Sequence, residues 1–453
     1  MMASGPILLV ILLAAIAFII YSTAKLKLNP FLALLLTAYG VGFAAGMPAT
    51  EIVSTITNGF GGLMTSIGLV IILGTIIGVF LEKSGAAIVM ADSILKVVGE
   101  KRPALAMNLI GYIVSIPVFC DSGFVILSSL NKALSKRTGV SLTALAVALS
   151  TGLYATHVLV PPTPGPLAAA GNLGLTNLGL AIMVGLLVAI PTSLAGLFWA
   201  NRFAKDGKTD KSSPEAALRA WEEMKAQYGR LPGVWAAYAP IVVPIALIAL
   251  SSVADFPSHP FGEGAVKTVL NFLGTPVTAL LIGVFCCLFL VEKIDEKVLN
   301  DWIGASLKDA ATILIVTGAG GALGKILSTT PIGSYLGETL STWNLGIFLP
   351  FVIAAALKTA QGSSTVALVT TSAIIAPMLP ALGFDSEMGR VLMVMAIGAG
   401  SMVVSHANDS FFWVVSQFSD MDVATAYRAQ TIGTAVTGVV AIVTTALLSL
   451  VLL

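Results

Sequence analysis

The chain has 453 residues, of which 57% are hydrophobic and only 10% are charged, and its mean hydropathy is +0.95. Soluble domains carry roughly 25% charged residues, so this composition excludes a soluble globular protein and indicates an integral membrane protein. The formal net charge of +1 gives no reason to expect a nucleic-acid partner. The three cysteines have no metal-ligand spacing and predict neither a disulfide framework nor a metal site.

Helices are the predicted spanning elements, because apolar stretches of about 18 residues or more recur and the short alternating strands of an outer-membrane barrel do not. The first stretch, Ile7 to Tyr21, lacks a basic n-region and is predicted to be a retained span, not a cleaved signal. We expect full spans at residues 5–22, 29–47, 63–81, 140–175 (broken), 178–200, 234–253, 276–291, 310–328, 390–418 (broken) and 429–453.

The Lys and Arg residues predict which side of the membrane each connection faces. Twenty of the 24 lie at 23–28, 82–103, 131–139, 201–233, 292–309 and Arg428, whereas the other connections carry almost none. Basic residues favour the cytoplasmic side, so these segments are predicted to lie inside and both termini in the periplasm.

Two further apolar stretches, 104–131 and 345–377, are each interrupted by a polar centre. The basic segments on either side of 104–131 are predicted to lie on the same side of the membrane. We therefore expect 104–131 to form a re-entrant hairpin that opens to the cytoplasm. By the same reasoning, 345–377 is predicted to be a second hairpin that opens outward.

The two halves of the chain resemble each other in sequence. GTIIGVFLEKSGAA (Gly74 to Ala87) aligns with GGALGKILSTTPIG (Gly320 to Gly333), and His157 before a proline run corresponds to His406 before NDSFFW. Each half has five spans, one of them broken, and a hairpin. Matching loops differ in charge, so the halves are predicted to have opposite membrane orientation.

The predicted fold is therefore an all-α integral membrane protein of two inverted-topology repeats of five spans each. The repeats cover residues 1–200 and 234–453, and the cytoplasmic segment 201–233 joins them as a solvated, partly helical linker without a role in the chemistry. Inverted repeats with discontinuous helices are typical of secondary transporters, which bind substrate near the bilayer midplane.

Polar residues occur at four places of predicted membrane depth, where lipid-facing ones would be costly. Four prolines between 161 and 166 stop one helix, so that free carbonyls and half-helix N-termini can face a ligand. The four places are the tip of the first hairpin (Asp121, Ser122, Gly123), the proline break (Thr156, His157, Thr163, Gly165), the tip of the second hairpin (Lys358, Gln361, Gly362, Ser363, Ser364, Thr365) and the second break (Ser405, His406, Asn408, Asp409, Ser410).

These residue types indicate a site for a small hydroxylated anion. Gly and Ser at hairpin tips let backbone N–H groups approach a carboxylate, and polar side chains bind hydroxyls. Lys358 either supplies a positive charge or pairs with a carboxylate such as Asp409. His157, His406, Asp121 and Asp409 are candidates for a coupling proton, although the histidines could serve packing and Asp121 could cap a half-helix. Glu82 and Arg390, near the ends of spans, are interpreted as structural.

Three motifs follow one another in the chain: HVLVPPTPGPLAAAGNLG, QGSSTVAL followed by APMLP, and SHANDSFFW. Together with FLALLLTAYGVGFAAGM near the N-terminus, they resemble the gluconate:proton symporter (GntP) family of bacterial inner-membrane permeases, over essentially the whole chain. The family belongs to the ion transporter superfamily, whose members have two hairpins and two broken helices. The resemblance implies proton-coupled uptake of a sugar acid or related hydroxy-monocarboxylate by an elevator-like homodimer without a cofactor. It places the family's motifs at residues 157–174, 361–367 and 405–413.

The tip of the first hairpin, VFCDSGF, departs from the family pattern, in which many members have a Glu and an aliphatic residue there. The substrate therefore stays open between gluconate, a smaller acid such as glycerate, D-serine and 3-hydroxybutyrate. Sodium coupling is an alternative to proton coupling, because Ser, Thr and Asn side chains with free carbonyls also suit Na⁺. A channel and a membrane enzyme are further alternatives, but no nucleophile–base–orienter spacing supports an enzyme.

Overall fold

The computed structural model describes residues 5–205, 214–254, 261–332, 335 and 345–453, and this part of the chain is helical and contains no strand. The principal helices, numbered for this article, are α1 (Ile7–Ala24), α2 (Pro30–Ala44), α3 (Ala49–Lys83), α4 (Ala86–Val98), α5 (Pro103–Val114), α6 (Cys120–Thr138), α7 (Leu142–Leu159), α8 (Pro164–Asn172), α9 (Leu178–Ala200), α10 (Pro214–Gln227), α11 (Val234–Ala254), α12 (Ala265–Gly274), α13 (Pro276–Cys287), α14 (Ile303–Thr329), α15 (Phe348–Gln361), α16 (Ser364–Ile375), α17 (Glu387–Met402), α18 (Ser410–Phe418) and α19 (Ile432–Leu452).

Within the described ranges, seven helices are long and apolar enough to cross a membrane, or eight if the bent pair Ala265–Gly274 and Pro276–Leu290 is one span. Helices α1 and α2, at two of the ten predicted spans, are apolar but shorter. Ser364–Leu382, the second arm of the stretch 345–377, also meets the criteria for a span. The chain is a multi-pass membrane protein, and the re-entrant path of the two hairpins stays a prediction.

Two helices are longer than the spans predicted from the apolar stretches of the sequence. Helix α3 begins at Ala49 and not near residue 63, because Ile52, Ile56, Gly59 and Leu63 recur every three or four residues and keep one face of the helix buried. Helix α14 likewise continues an irregular turn, so the helical segment runs from Lys297 to Thr329. Most of the predicted outer connection 328–344 lies outside the described residues.

Small residues let α3 and α14 pack closely against each other. A Cβ placed on Gly59 would lie 2.6 Å from the carbonyl oxygen of Gly321, and one on Gly321 would lie 2.6 Å from the Leu63 side chain. Backbones that approach this closely gain packing without side-chain ordering, as is common between membrane helices. The glycine-rich face of α14 therefore serves helix packing.

The proline-broken segment lies in the interior of the protein. All 18 residues of α7 are buried, and so are seven of the nine residues of α8. The chain is not helical between Leu159 and Pro164, and at that depth the freed backbone groups must be satisfied by protein or by a water-filled cavity. Because α7 and α8 are surrounded by protein, the freed backbone groups of the break are not exposed to lipid.

The linker between the halves is partly helical. Helix α10 occupies 214–227, and residues 206–213 lie outside the described part. Trp221 on α10 is only 4% exposed, and Lys225 forms a 3.2 Å ion pair with Asp92 of α4. One face of the linker helix therefore packs against the first half, a contact that the expectation of a solvated, partly helical linker did not include.

Candidate functional site

All four predicted polar places coincide with the beginning of a helix. Helix α6 begins at Cys120, α8 at Pro164, α16 at Ser364 and α18 at Ser410. The first N–H groups of a helix have no partner within it, and the helix dipole adds partial positive charge at this end. Four such ends brought together can bind an anion.

Lys358 and Asp409 form a buried ion pair between the second hairpin and the second break. The Lys358 Nζ lies 2.6 Å from Asp409 Oδ2 and donates a further hydrogen bond of 2.5 Å to the Gly362 carbonyl. Lys358 is 1% and Asp409 5% exposed. Asp409 also accepts from the Ser405 hydroxyl and, as N-cap of α18, from the Phe411 N–H. The pairing considered from the sequence is therefore present, and it neutralises the charge of Lys358.

The tip of the second hairpin is held against the second break by several contacts. The side chains of His406 and Asn408 both lie 2.8 Å from the carbonyl oxygen of Thr359. Gly362 has a φ of +86°, and a Cβ there would lie 2.6 Å from the carbonyl carbon of Asn408. Only glycine therefore fits at this position.

Asp121 connects the first hairpin to the same cluster. Its Oδ1 lies 3.5 Å from the Ser410 hydroxyl at the start of α18, and it is within electrostatic range of Asp409 and Lys358. Asp121 is half-buried, and among the described residues no Lys or Arg forms an ion pair with it. It is therefore the acid of the cluster that lacks a counterion.

The proline break borders the cluster from the other side. His157 is buried against the ring of Phe119, 5.9 Å between centroids, and is within electrostatic range of Lys358 and Asp409. A Cβ on Gly165 would lie 2.6 Å from the Leu368 side chain and 3.7 Å from Thr365, so the N-terminus of α8 meets that of α16. All four helix ends are thereby linked in one region.

Sequence reasoning missed Tyr154, a buried residue at the centre of this region. Lys358 Nζ lies 5.8 Å from the centre of its ring, which also packs against Phe411 at 5.2 Å. Its hydroxyl donates to the Ser401 carbonyl at 3.3 Å. A tyrosine three residues before His157, in a segment of predicted membrane depth, is the signal that could have identified it.

Several predicted residues take local roles. The Thr163 hydroxyl donates to the Val160 carbonyl at 2.6 Å, and the Ser363 hydroxyl accepts from the Val366 N–H as N-cap of α16. A Cβ on Gly123 would meet the Leu153 side chain, so this glycine faces α7. Ser122 lies within interaction range of Glu82 of α3.

The site retains buried polar atoms that have no hydrogen-bond partner in the described structure. They are both amide atoms of Gln361, the amide oxygen of Asn408 and Nδ1 of His157. Buried polar atoms are otherwise nearly always paired, so groups left open at one place are available to a ligand or water. The arrangement therefore offers helix ends for an anion and amides for hydroxyl groups.

Comparisons with known proteins agree with this architecture. The model of the family described as GntP family permease matches residues 7–451. A gluconate permease of Pseudomonas aeruginosa is 33% identical over 100% of this chain and 99% of its own length, and the D-serine transporter DsdX of Escherichia coli is 32% identical over 97% and 98%. The solved structure of the Alcanivorax borkumensis YdaH transporter has a similar fold, with a TM-score of 0.61 at 14% identity over 97% of both chains.

Proposed function

Because the chain belongs to the GntP family of permeases, we propose that it is a secondary active transporter for the proton-coupled uptake of a small hydroxylated monocarboxylate across the bacterial inner membrane. The substrate is a gluconate- or glycerate-like acid. The transporter uses a proton as its coupling ion and needs no cofactor.

The charge balance of the cluster carries this proposal. The ion pair with Asp409 neutralises Lys358, so Asp121 is the net charge that an incoming carboxylate meets. Two like charges about 4 Å apart repel by roughly 4 kcal/mol at an effective dielectric constant of 20. The anion therefore binds best when Asp121 is protonated.

Binding coupled in this way acts in both directions. If a proton on Asp121 raises the affinity for the carboxylate, the bound carboxylate raises the affinity for the proton by the same factor. Proton and substrate then occupy the site together, which is the thermodynamic requirement of symport. An inward proton gradient drives accumulation of the acid.

The donor groups of the site and the names of the relatives support this substrate class. Gluconate and D-serine, which the names of two relatives give, both carry a carboxylate and at least one hydroxyl. The four helix N-termini suit the carboxylate, and the open amide group of Gln361 and amide oxygen of Asn408 suit hydroxyls. D-serine and 3-hydroxybutyrate share these groups and are the other candidates within the family.

We further propose that residues 1–200 and 234–453 are inverted repeats joined by the linker 201–233. The helix order supports this: each half has a helix pair (α5 and α6; α15 and α16), then a broken helix (α7 and α8; α17 and α18), then a long helix (α9; α19). The predominance of Lys and Arg in one set of connections supports periplasmic termini. The dimer and the elevator-like movement stay predictions.

Uptake by purified protein in sodium-free proteoliposomes tests the proposal. We expect a pH gradient that is acidic outside the vesicles to drive accumulation of a labelled hydroxy acid. A protonophore should abolish this accumulation. In Asp121→Asn, counterflow exchange should persist while gradient-driven accumulation is lost. Accumulation that requires Na⁺ and ignores the pH gradient would establish the sodium-coupled alternative, and flux without counterflow would establish a channel. Undiminished accumulation by Asp121→Asn would remove Asp121 from the coupling.

A further inference from the structure

A large polar cavity lies at the end of α3, away from the anion site. It has a volume of about 780 Å³ and is bounded by the end of α3, the end of the linker helix and the segment 290–302. Seven charged residues line it: Glu82, Lys83, Arg230, Glu292, Lys293, Asp295 and Lys297. With four basic and three acidic groups, this wall is well hydrated and close to neutral. Its basic segments are those predicted to face the cytoplasm.

Glu82 differs from the other charged groups of this wall. It is half-buried, whereas the other six are exposed. A Cβ on Gly78, one turn earlier on α3, would lie 2.6 Å from the Pro117 carbonyl oxygen, so this end of α3 packs against the tip of the first hairpin. Ser122, the residue next to Asp121, is near enough to the Glu82 carboxylate to interact with it. The titratable and charged groups around it are Lys83 on α3, Asp309 on α14 and Tyr228 after α10.

The related position in the second half supports a special role for this acid. In the alignment of the halves, Glu82 corresponds to Ser328, which lines a second cavity of about 340 Å³ between α3, α14 and the end of α8. Among the described residues that line this second cavity, Lys325 is charged and none is acidic. Both halves therefore place this position at a cavity, but only the first provides a carboxylate there.

We propose that Glu82 is a proton-transfer residue, which takes the coupling proton from Asp121 and releases it to water in the 780 Å³ cavity. The proton leaves the carboxylic acid of Asp121, binds the carboxylate of Glu82 by way of Ser122, and passes to water as hydronium, which restores both carboxylates. This assignment rests on the proposed proton symport and adds its route to the cytoplasm. It also replaces the structural role that the sequence predicted for Glu82.

The test compares Glu82→Gln with Glu292→Gln in proteoliposomes. Glu292 is an exposed acid of the same cavity, 3.9 Å from Arg230, and serves as the matched control. We expect Glu82→Gln to slow gradient-driven uptake on the order of 100-fold, the usual contribution of a positioned proton-transfer group, while counterflow stays within about twofold of wild type. Glu292→Gln should keep both activities, and Glu82→Asp should keep most of the gradient-driven uptake.

Two further measurements separate proton transfer from a structural role. Imidazole inside the vesicles is small enough to enter the cavity and should partly restore gradient-driven uptake by Glu82→Gln, as a mobile proton carrier. Loss of counterflow in Glu82→Gln, or gradient-driven uptake equal to that of Glu292→Gln, would overturn the proposal. A wild-type protein that shows no uptake driven by a pH gradient would instead refute proton symport itself, so the two failures are distinguishable.

Discussion

The contact between Gly362 and Asn408 gives a sharp test of how the second hairpin builds the site. In Gly362→Ala, the new Cβ would lie 2.6 Å from the Asn408 carbonyl carbon, about 1 Å short of an ordinary carbon–carbon contact. The hairpin tip or the segment 403–409 must therefore move by about this amount. That movement displaces the Gly362 carbonyl from Lys358 and disturbs the Lys358–Asp409 pair.

Gly383 provides a control that separates this overlap from backbone strain. Both glycines end a helix with positive φ, +86° at Gly362 and +79° at Gly383, but a Cβ on Gly383 would meet no atom within 4 Å. Each alanine variant should lose roughly 1–2 kcal/mol for the left-handed backbone. Only Gly362→Ala should also displace the site, and a 1 Å displacement can reduce a rate about 100-fold.

Initial uptake rates in proteoliposomes and melting temperatures in detergent measure the two effects. We expect Gly383→Ala to transport close to normally with a slightly lower melting temperature, and Gly362→Ala to lose uptake and counterflow together. If the two variants transport equally well, the hairpin tip does not shape the substrate site. The reasoning from its contact with Asn408 would then be wrong.

Two other predictions concern the ion pair and the membrane orientation. Asp409→Asn leaves Lys358 buried without its counterion, so we expect a loss of about 3–5 kcal/mol in stability and no gradient-driven accumulation. Adding the substitution Lys358→Met to this variant should restore stability. A double variant that is less stable than Asp409→Asn would contradict the pairing. In single-cysteine variants in a Cys-free background, Ser122→Cys should react with impermeant reagents only from the cytoplasm and Ser363→Cys only from the periplasm. Labelling of both from one side would refute the inverted orientation of the hairpins.

The candidate site was predictable as a set of segments but not as a set of contacts. Each of the four polar segments is conspicuous because its neighbours are apolar, and the prolines at 161–166 interrupt a helix whatever surrounds them. The sequence did not reveal which role each residue takes within its segment. Thr163 and Ser363 have the same kinds of side chain as ligand-binding residues, yet the hydroxyls of both bond to their own backbone segments. The rotation of each helix about its axis decides which hydroxyl faces a ligand. The residue type alone does not specify that rotation.

The sequence by itself determined that the protein lies in a membrane, that helices break within 140–175 and 390–418, and that polar residues gather at four interruptions of the apolar segments. These properties are local, because apolarity, proline and helix N-termini act within a few residues. The tertiary structure alone decided that Lys358 pairs with Asp409, 51 residues away, and that Asp121 lies beside Ser410, 289 residues away. It also placed Glu82 near Ser122, and it placed Tyr154 at the centre of the site. Such pairings follow from how the helices of the two halves pack against each other, and no short stretch of the chain contains that information.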